Sequence, residues 1–122
     1  MLKGLQTIVY HVSNLEMAKM WYSEMFDMKP YFEESFYIGF NIGGYELGLD
    51  PSDTEYSKGN SSITYWNVDH IDAVFERFRS KKVIVHQEIH AVGEGIRLGS
   101  IRDPFGNAIG LIEITSVQSH AD

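Results

Sequence analysis

The chain has no cysteine. Disulfides, thiolate nucleophiles and zinc–sulfur sites are thereby excluded, and the absence fits a cytoplasmic home. Positive charge is also scarce: 10 Lys and Arg stand against 17 Asp and Glu, a formal net charge of −7. Phosphates need a basic patch to neutralise them, so nucleic acid and anionic membrane are not expected partners. The one basic cluster, Arg77, Arg79, Lys81 and Lys82, falls at the end of an expected helix, where cations answer the helix dipole. No apolar run is long enough to span a membrane. Residues 1–12 show neither an apolar h-region nor a cleavage pattern, so no export signal is expected.

What remains is an ordinary globular composition, 43% hydrophobic and 22% charged over 122 residues. That length suits a single domain, residues 1–122, with one core or two small ones sharing an interface. Within it the sequence is written twice. The β-rich run at residues 7–12 (TIVYHV) is answered by residues 63–68 (ITYWNV). Each run ends on helix-capping residues, Ser13 or Asn14 in the first half and Asp69 in the second. An amphipathic helix follows in each: Leu15, Ala18, Trp21, Tyr22, Met25 and Phe26 recur at helical spacing, as do Ile71, Val74, Phe75 and Phe78. Short strands are expected at residues 31–34 and 83–88. A hairpin then closes each unit, residues 36–42 with 45–49 through Gly43-Gly44, and residues 96–101 with 108–114. The order is β-α-β-β-β, twice, with module one at residues 1–50, a polar linker at 51–60 and module two at 61–116. The final polar residues, 116–122, are expected to fray.

The second hairpin turns on Asp103-Pro104-Phe105-Gly106-Asn107. Asp first, Pro second and Gly fourth suit a type I turn: Pro pre-sets φ, Asp bonds the backbone ahead of it, and Gly absorbs a positive φ.

A doubled βαβββ unit closing on an Asp-Pro-x-Gly-Asn turn and an Ile/Leu strand resembles the vicinal oxygen chelate superfamily. That group includes glyoxalase I, bleomycin-resistance proteins, fosfomycin-resistance enzymes and extradiol dioxygenases. Two segments carry the resemblance, Val12-Ser13-Asn14-Leu15 through Trp21-Tyr22 and the turn at residues 103–107. It implies an α+β fold of two tandem modules, an eight-stranded mixed sheet bent into a cup with both helices outside. In metal-dependent members, ligands such as His and Glu come from the start of each first strand and from each last strand. Those positions correspond here to Thr7, Gly48, Ile63 and Gly110. A divalent ion needs about four donors from His, Cys or carboxylate, so neither metal nor other cofactor is expected.

Strand alternation assigns the faces. Thr7, Val9 and His11 are expected to face the cup, with Ile63, Tyr65 and Asn67, then Glu46, Gly48 and Asp50, then Ala108, Gly110 and Ile112. Tyr37 and Asn41 join them, as do Arg97, Gly99 and Ile101. Their neighbours, including Phe36, Ile38, Phe40, Ile96 and Leu98, go to the helix side. The ligand-binding set is therefore Thr7, Val9, His11, Tyr37, Asn41, Glu46, Gly48, Ile63, Tyr65, Asn67, Arg97 and Gly110. Such a lining suits an organic molecule held by shape and stacking; it is equally what a cup filled by the protein's own aromatics would show. His11, titratable near neutrality, is the candidate catalytic residue, or else a histidine bonded to a neighbour or water. Arg97 either clamps an anionic group or pairs with Glu94 or Glu46. His86, Glu88 and His90 alternate along one strand, which aims three metal donors together or marks a solvated face. The expected function is metal-free binding of an aromatic or amphiphilic molecule by a homodimer. A glyoxalase-like lyase or isomerase, or an extradiol-type dioxygenase, is the alternative.

Overall fold

The computed structural model describes residues 1–51 and 62–115. Residues 52–60 of the expected linker and the C-terminal stretch expected to fray lie outside that range. The chain divides into two compact units, Met1–Asn60 and Ser61–Asp122. Among the described residues each unit carries one helix and one four-stranded mixed sheet, so the eight strands form two sheets.

In the first unit the elements run β1 (Thr7–His11), α1 (Leu15–Phe26), β2 (Phe32–Glu34), β3 (Tyr37–Ile42) and β4 (Tyr45–Asp50). The sheet order is β1-β4-β3-β2, with β1 parallel to β4 and the other pairs antiparallel. α1 starts where expected. The Asn14 side chain accepts the Met17 N–H at 2.9 Å, and Asp27 in the left-handed region ends the helix with its N–H on the Ser23 carbonyl. Tyr22 reaches from the helix onto the sheet, its ring 6.1 Å from Tyr10 and 6.4 Å from Phe40. With Val12, Ile38, Leu47 and Leu49 these side chains are buried. Each such apolar group contributes roughly 1.5–3 kcal/mol, so this packing fixes which face of the sheet meets the helix.

In the second unit β5 (Thr64–Asn67), α2 (Ile71–Ser80), β6 (Ile84–Gly93), β7 (Ile96–Arg102) and β8 (Ala108–Ile114) repeat the plan in the order β5-β8-β7-β6. Ile71, Phe75 and Phe78 bury the helix against Ile101, Ile109 and Leu111. The cap differs from expectation. The N-cap is His70, one residue past Asp69, and its side chain makes no capping bond. The Glu113 carboxylate of β8 accepts the Ile71 N–H instead, at 3.2 Å. A tertiary contact thus replaces the local cap, satisfying one donor that the helix leaves orphaned. At the other end Arg79 binds Glu88 at 2.9 Å, in keeping with a structural reading of the basic cluster.

The turn behaves as its residues require. The Gly106 N–H bonds to the Asp103 carbonyl at 3.1 Å, and Gly106 sits at φ 91. The Asp103 carboxylate, 3% exposed, accepts the backbone N–H groups of Phe105 and Asn107 and the Asn107 side-chain amide, all within 2.8 Å. Among the described residues no helix is long and apolar enough to cross a membrane.

Candidate functional site

The first unit gathers polar groups on the face of its sheet opposite α1. β1 and β4 pair in a register that sets Thr7 beside Glu46 and Val9 beside Gly48. The Thr7 hydroxyl donates to Glu46 Oε1 at 2.7 Å, and the Tyr31 hydroxyl donates to Oε2 at 2.8 Å. The Tyr37 phenol lies close enough to the same carboxylate to feel its charge. Gly39 makes room for this: a Cβ there would lie 2.7 Å from Glu46 Oε2 and 3.1 Å from the Tyr31 ring. Glu46 is therefore a hub for two neutral hydroxyls, with a third, that of Tyr37, nearby.

Both phenols are held protonated. Burial, then the Glu46 carboxylate, pushes Tyr37 above the usual tyrosine range. The hydrogen bond to Glu46, with burial second, does the same for Tyr31. Beside the hub lies an open hollow of about 470 Å³ lined by Tyr31, Phe32, Phe36, Tyr37, Glu46 and Asp50. The Phe32 and Tyr37 rings stand 6.2 Å apart within it. His11 lies nearby in register with Asp50, its Nδ1 3.9 Å from the carboxylate.

The two glycines at the expected metal-ligand positions share one feature. Where a Cβ would stand on Gly48, the Tyr37 hydroxyl is already present, with Tyr37 Cε1 at 2.9 Å. In the second unit, Tyr65 is the register partner of Gly110. A Cβ on Gly110 would meet the Tyr65 ring at 2.5 and 2.7 Å and Ile63 Cγ2 at 3.0 Å. Each unit lays a tyrosine across its own glycine.

Other expected site residues fall elsewhere. Arg97 stands on the helix face of β7, binding Asp72 of α2 through two bonds of 2.8 and 2.9 Å and reaching Glu113 at 3.6 Å. The β7–β8 register explains this. Arg97, Gly99 and Ile101 sit opposite Glu113, Leu111 and Ile109, while Leu98 and Ser100 share a face with Ile112 and Gly110. The face assignment for β7 was thus inverted, because Ile and Leu occupy both alternating sets and give no sign of which is buried. Asn41 is exposed, and its side chain accepts the Gly44 N–H at 2.9 Å, building the β3–β4 turn. Asn67 is exposed at the end of β5.

His86, Glu88 and His90 do not converge. β6 loses regular register between Val85 and Gln87 and again between Gln87 and His90, which breaks the alternation. His86 Nδ1 lies 2.8 Å from the Ser100 hydroxyl, Glu88 binds Arg79, and His90 Nδ1 bonds to the Glu88 carbonyl. Phe36 is also not on the helix side. It belongs to the turn before β3, where alternation has no meaning, and it is 64% exposed at the hollow.

Residues 4–111 match the model of the Glyoxalase/Bleomycin resistance protein/Dioxygenase superfamily. The chain belongs to this superfamily. Solved structures share its fold. A fosfomycin resistance protein, FosX, from Listeria monocytogenes, determined with Mn(II) and sulfate, is 19% identical. It superposes with a TM-score of 0.78 over 94% of this chain and 93% of its own. A lactoylglutathione lyase from Agrobacterium tumefaciens is 19% identical, with a TM-score of 0.73 over 92% of this chain and 94% of its own. A glyoxalase/bleomycin resistance protein from Catenulispora acidiphila is 18% identical, with a TM-score of 0.71 over 92% and 100%. None of the curated proteins compared matches the sequence.

At the four positions that the resemblance assigns to ligands, the residues present supply few of the donors a divalent ion takes. Thr7 offers one neutral hydroxyl, which it gives to Glu46. Ile63 has no donor atom, and tyrosines cover the glycines. Among the described residues no group of three or more His, Cys, Asp or Glu is placed to hold a metal. Strand alternation does not single out Tyr31, Phe32 and Phe36, which the structure gathers at the hollow. The available signal was density: four aromatics and two glutamates stand between residues 31 and 37, more than one short hairpin can bury.

Proposed function

We propose that the protein is a metal-free member of the superfamily that binds a small aromatic or amphiphilic organic molecule on the sheet face opposite α1. One observation carries the reading: tyrosine rings lie over Gly48 and Gly110, the positions where ligating side chains would otherwise project. The hollow beside Glu46 has the size of a small-ligand site, and the two protonated phenols supply orienting hydrogen bonds. The likeness in fold to a lactoylglutathione lyase and a fosfomycin resistance protein accords with a small organic ligand. The working form is a cytoplasmic homodimer without nucleic acid or membrane partners.

The test pairs elemental analysis with a thermal-shift screen of small aromatics. The expected result is substoichiometric metal after chelator dialysis, with stabilisation by some of the aromatics. Retained stoichiometric Ni, Zn, Mn or Fe would overturn the reading, as would a flat screen. A compact monomer at micromolar concentration by light scattering would remove the dimer. A cofactor-free enzyme is the second reading, favoured by His11 lying beside Asp50 at the hollow. It requires a substrate-dependent rate that disappears in His11→Ala.

A further inference from the structure

The hollow in the first unit combines ring faces with negative charge. Tyr31, Phe32, Phe36 and Tyr37 supply four aromatic rings, Glu46 and Asp50 supply two carboxylates, and among the described residues no Lys or Arg lines it. Glu46 is hydrogen-bonded by the hydroxyls of Thr7 and Tyr31. Those donors fix the carboxylate's position and orientation and, being neutral, do not cancel its charge. Tyr31, Phe32 and Phe36 leave ring surface in solvent at one hollow, and exposed apolar surface gathered in a patch marks a binding site where scattered residues would not.

Ring quadrupoles attract a cation over their faces, most strongly one whose hydration is weak. A nearby carboxylate adds direct Coulomb attraction while repelling anions. The formal charge of −7 on the chain further favours approach by cations. From this arrangement we propose that the hollow selects organic cations, quaternary ammonium or protonated-amine compounds bearing an aromatic or alkyl body. The onium group sits among the rings near Glu46 and Asp50. This rests on the reading that the protein binds a small organic molecule, and it names the chemical class.

The test uses two probes of one shape, (4-hydroxyphenyl)trimethylammonium and 4-tert-butylphenol, which exchange a quaternary nitrogen for carbon. Binding is followed by calorimetry and by amide NMR shifts on the full chain. The cation is expected to bind at least tenfold more tightly, to perturb residues 31–37 and 46–50, and to weaken as salt is raised. Glu46→Gln, which keeps the side-chain shape, is expected to cut the preference for the cation over 4-tert-butylphenol about tenfold. Phe36→Ser, at an exposed position, weakens the cation without threatening the core, and Asp50→Asn repeats the charge test if Glu46→Gln folds poorly. Equal or tighter binding of 4-tert-butylphenol at the same residues overturns the cation inference and leaves small-molecule binding standing. Failure of the cation to bind overturns it as well. A flat response across neutral, anionic and cationic aromatics alike refutes the underlying reading too.

Discussion

Replacing Gly48 by alanine should expel Tyr37 from its seat on the sheet. The new methyl would occupy the place of the Tyr37 hydroxyl and come within 2.9 Å of Cε1, so the ring must swing away from β4. Overpacking of this kind costs about 1–3 kcal/mol. The displaced phenol also leaves the neighbourhood of the Glu46 carboxylate, which adds a smaller electrostatic loss at this partly open site. Opposing these, alanine in a strand interior is favoured over glycine by about 0.5–1 kcal/mol. The net expectation is destabilisation of about 2 kcal/mol, from combining those terms. Urea denaturation reads it as a lower midpoint at unchanged slope. In a Tyr37→Ala background the obstruction is absent, so Gly48→Ala becomes neutral or slightly stabilising. The cycle should therefore give a coupling energy of at least about 1 kcal/mol. A second readout follows from the titration. Burial and Glu46 raise Tyr37, so ejecting the ring should bring its ionisation, followed by absorbance, back down toward the ordinary range. An equal cost for Gly48→Ala in both backgrounds would refute the argument that Tyr37 occupies that position.

Four other outcomes are expected. Asp103→Ala orphans three donors at the turn and should cost about 3 kcal/mol, with Asp103→Asn milder because one oxygen remains; equal effects in chemical denaturation would contradict this. Glu113→Ala removes the tertiary cap on α2 and should cost about 1 kcal/mol, with hydrogen exchange accelerating first at Ile71 and its neighbours. Tyr31 and Tyr37 have raised pKa values, so their contribution is complete below the unfolded tyrosine value of about 10 and is lost as pH rises through the folded values. A stability profile should fall in that alkaline range and flatten in Tyr31→Phe/Tyr37→Phe. Arg97→Ala should leave ligand affinity unchanged, since Arg97 binds Asp72 on the helix face; a tenfold loss of affinity would return it to the site.

Much of this protein was legible in the order of its residues. The period-2 and period-3.6 patterns located eight strands and two helices, Asn14 announced α1, and the Asp103–Asn107 turn closed its hairpin through the bonds its side chains invite. These features are local, set by backbone geometry and by neighbours a few residues apart. Alternation also placed Thr7, Glu46, Gly48 and Tyr37 on one face of the first sheet, because Ile38, Phe40, Leu47 and Leu49 mark the other unambiguously. Where both alternating sets are apolar, as in β7, the pattern carries no sign. Only pairing with β8 decided that Arg97 meets Asp72. Where an irregular register intervenes, as in β6, spacing along the chain ceased to predict direction, and His86, Glu88 and His90 parted.

The sequence by itself determined the doubled plan and put glycines at 48 and 110, positions that the resemblance assigns to ligating side chains. What it could not specify was what fills the space those glycines leave. That depends on side chains distant in the chain and brought across the sheet by pairing: Tyr37 swung over Gly48, Tyr65 laid over Gly110, and Thr7 and Tyr31 drawn to one carboxylate at Glu46. Ring placement of this kind is a steric outcome of packing, decided only when strands are in register. The aromatic, acidic hollow therefore belongs to the tertiary structure.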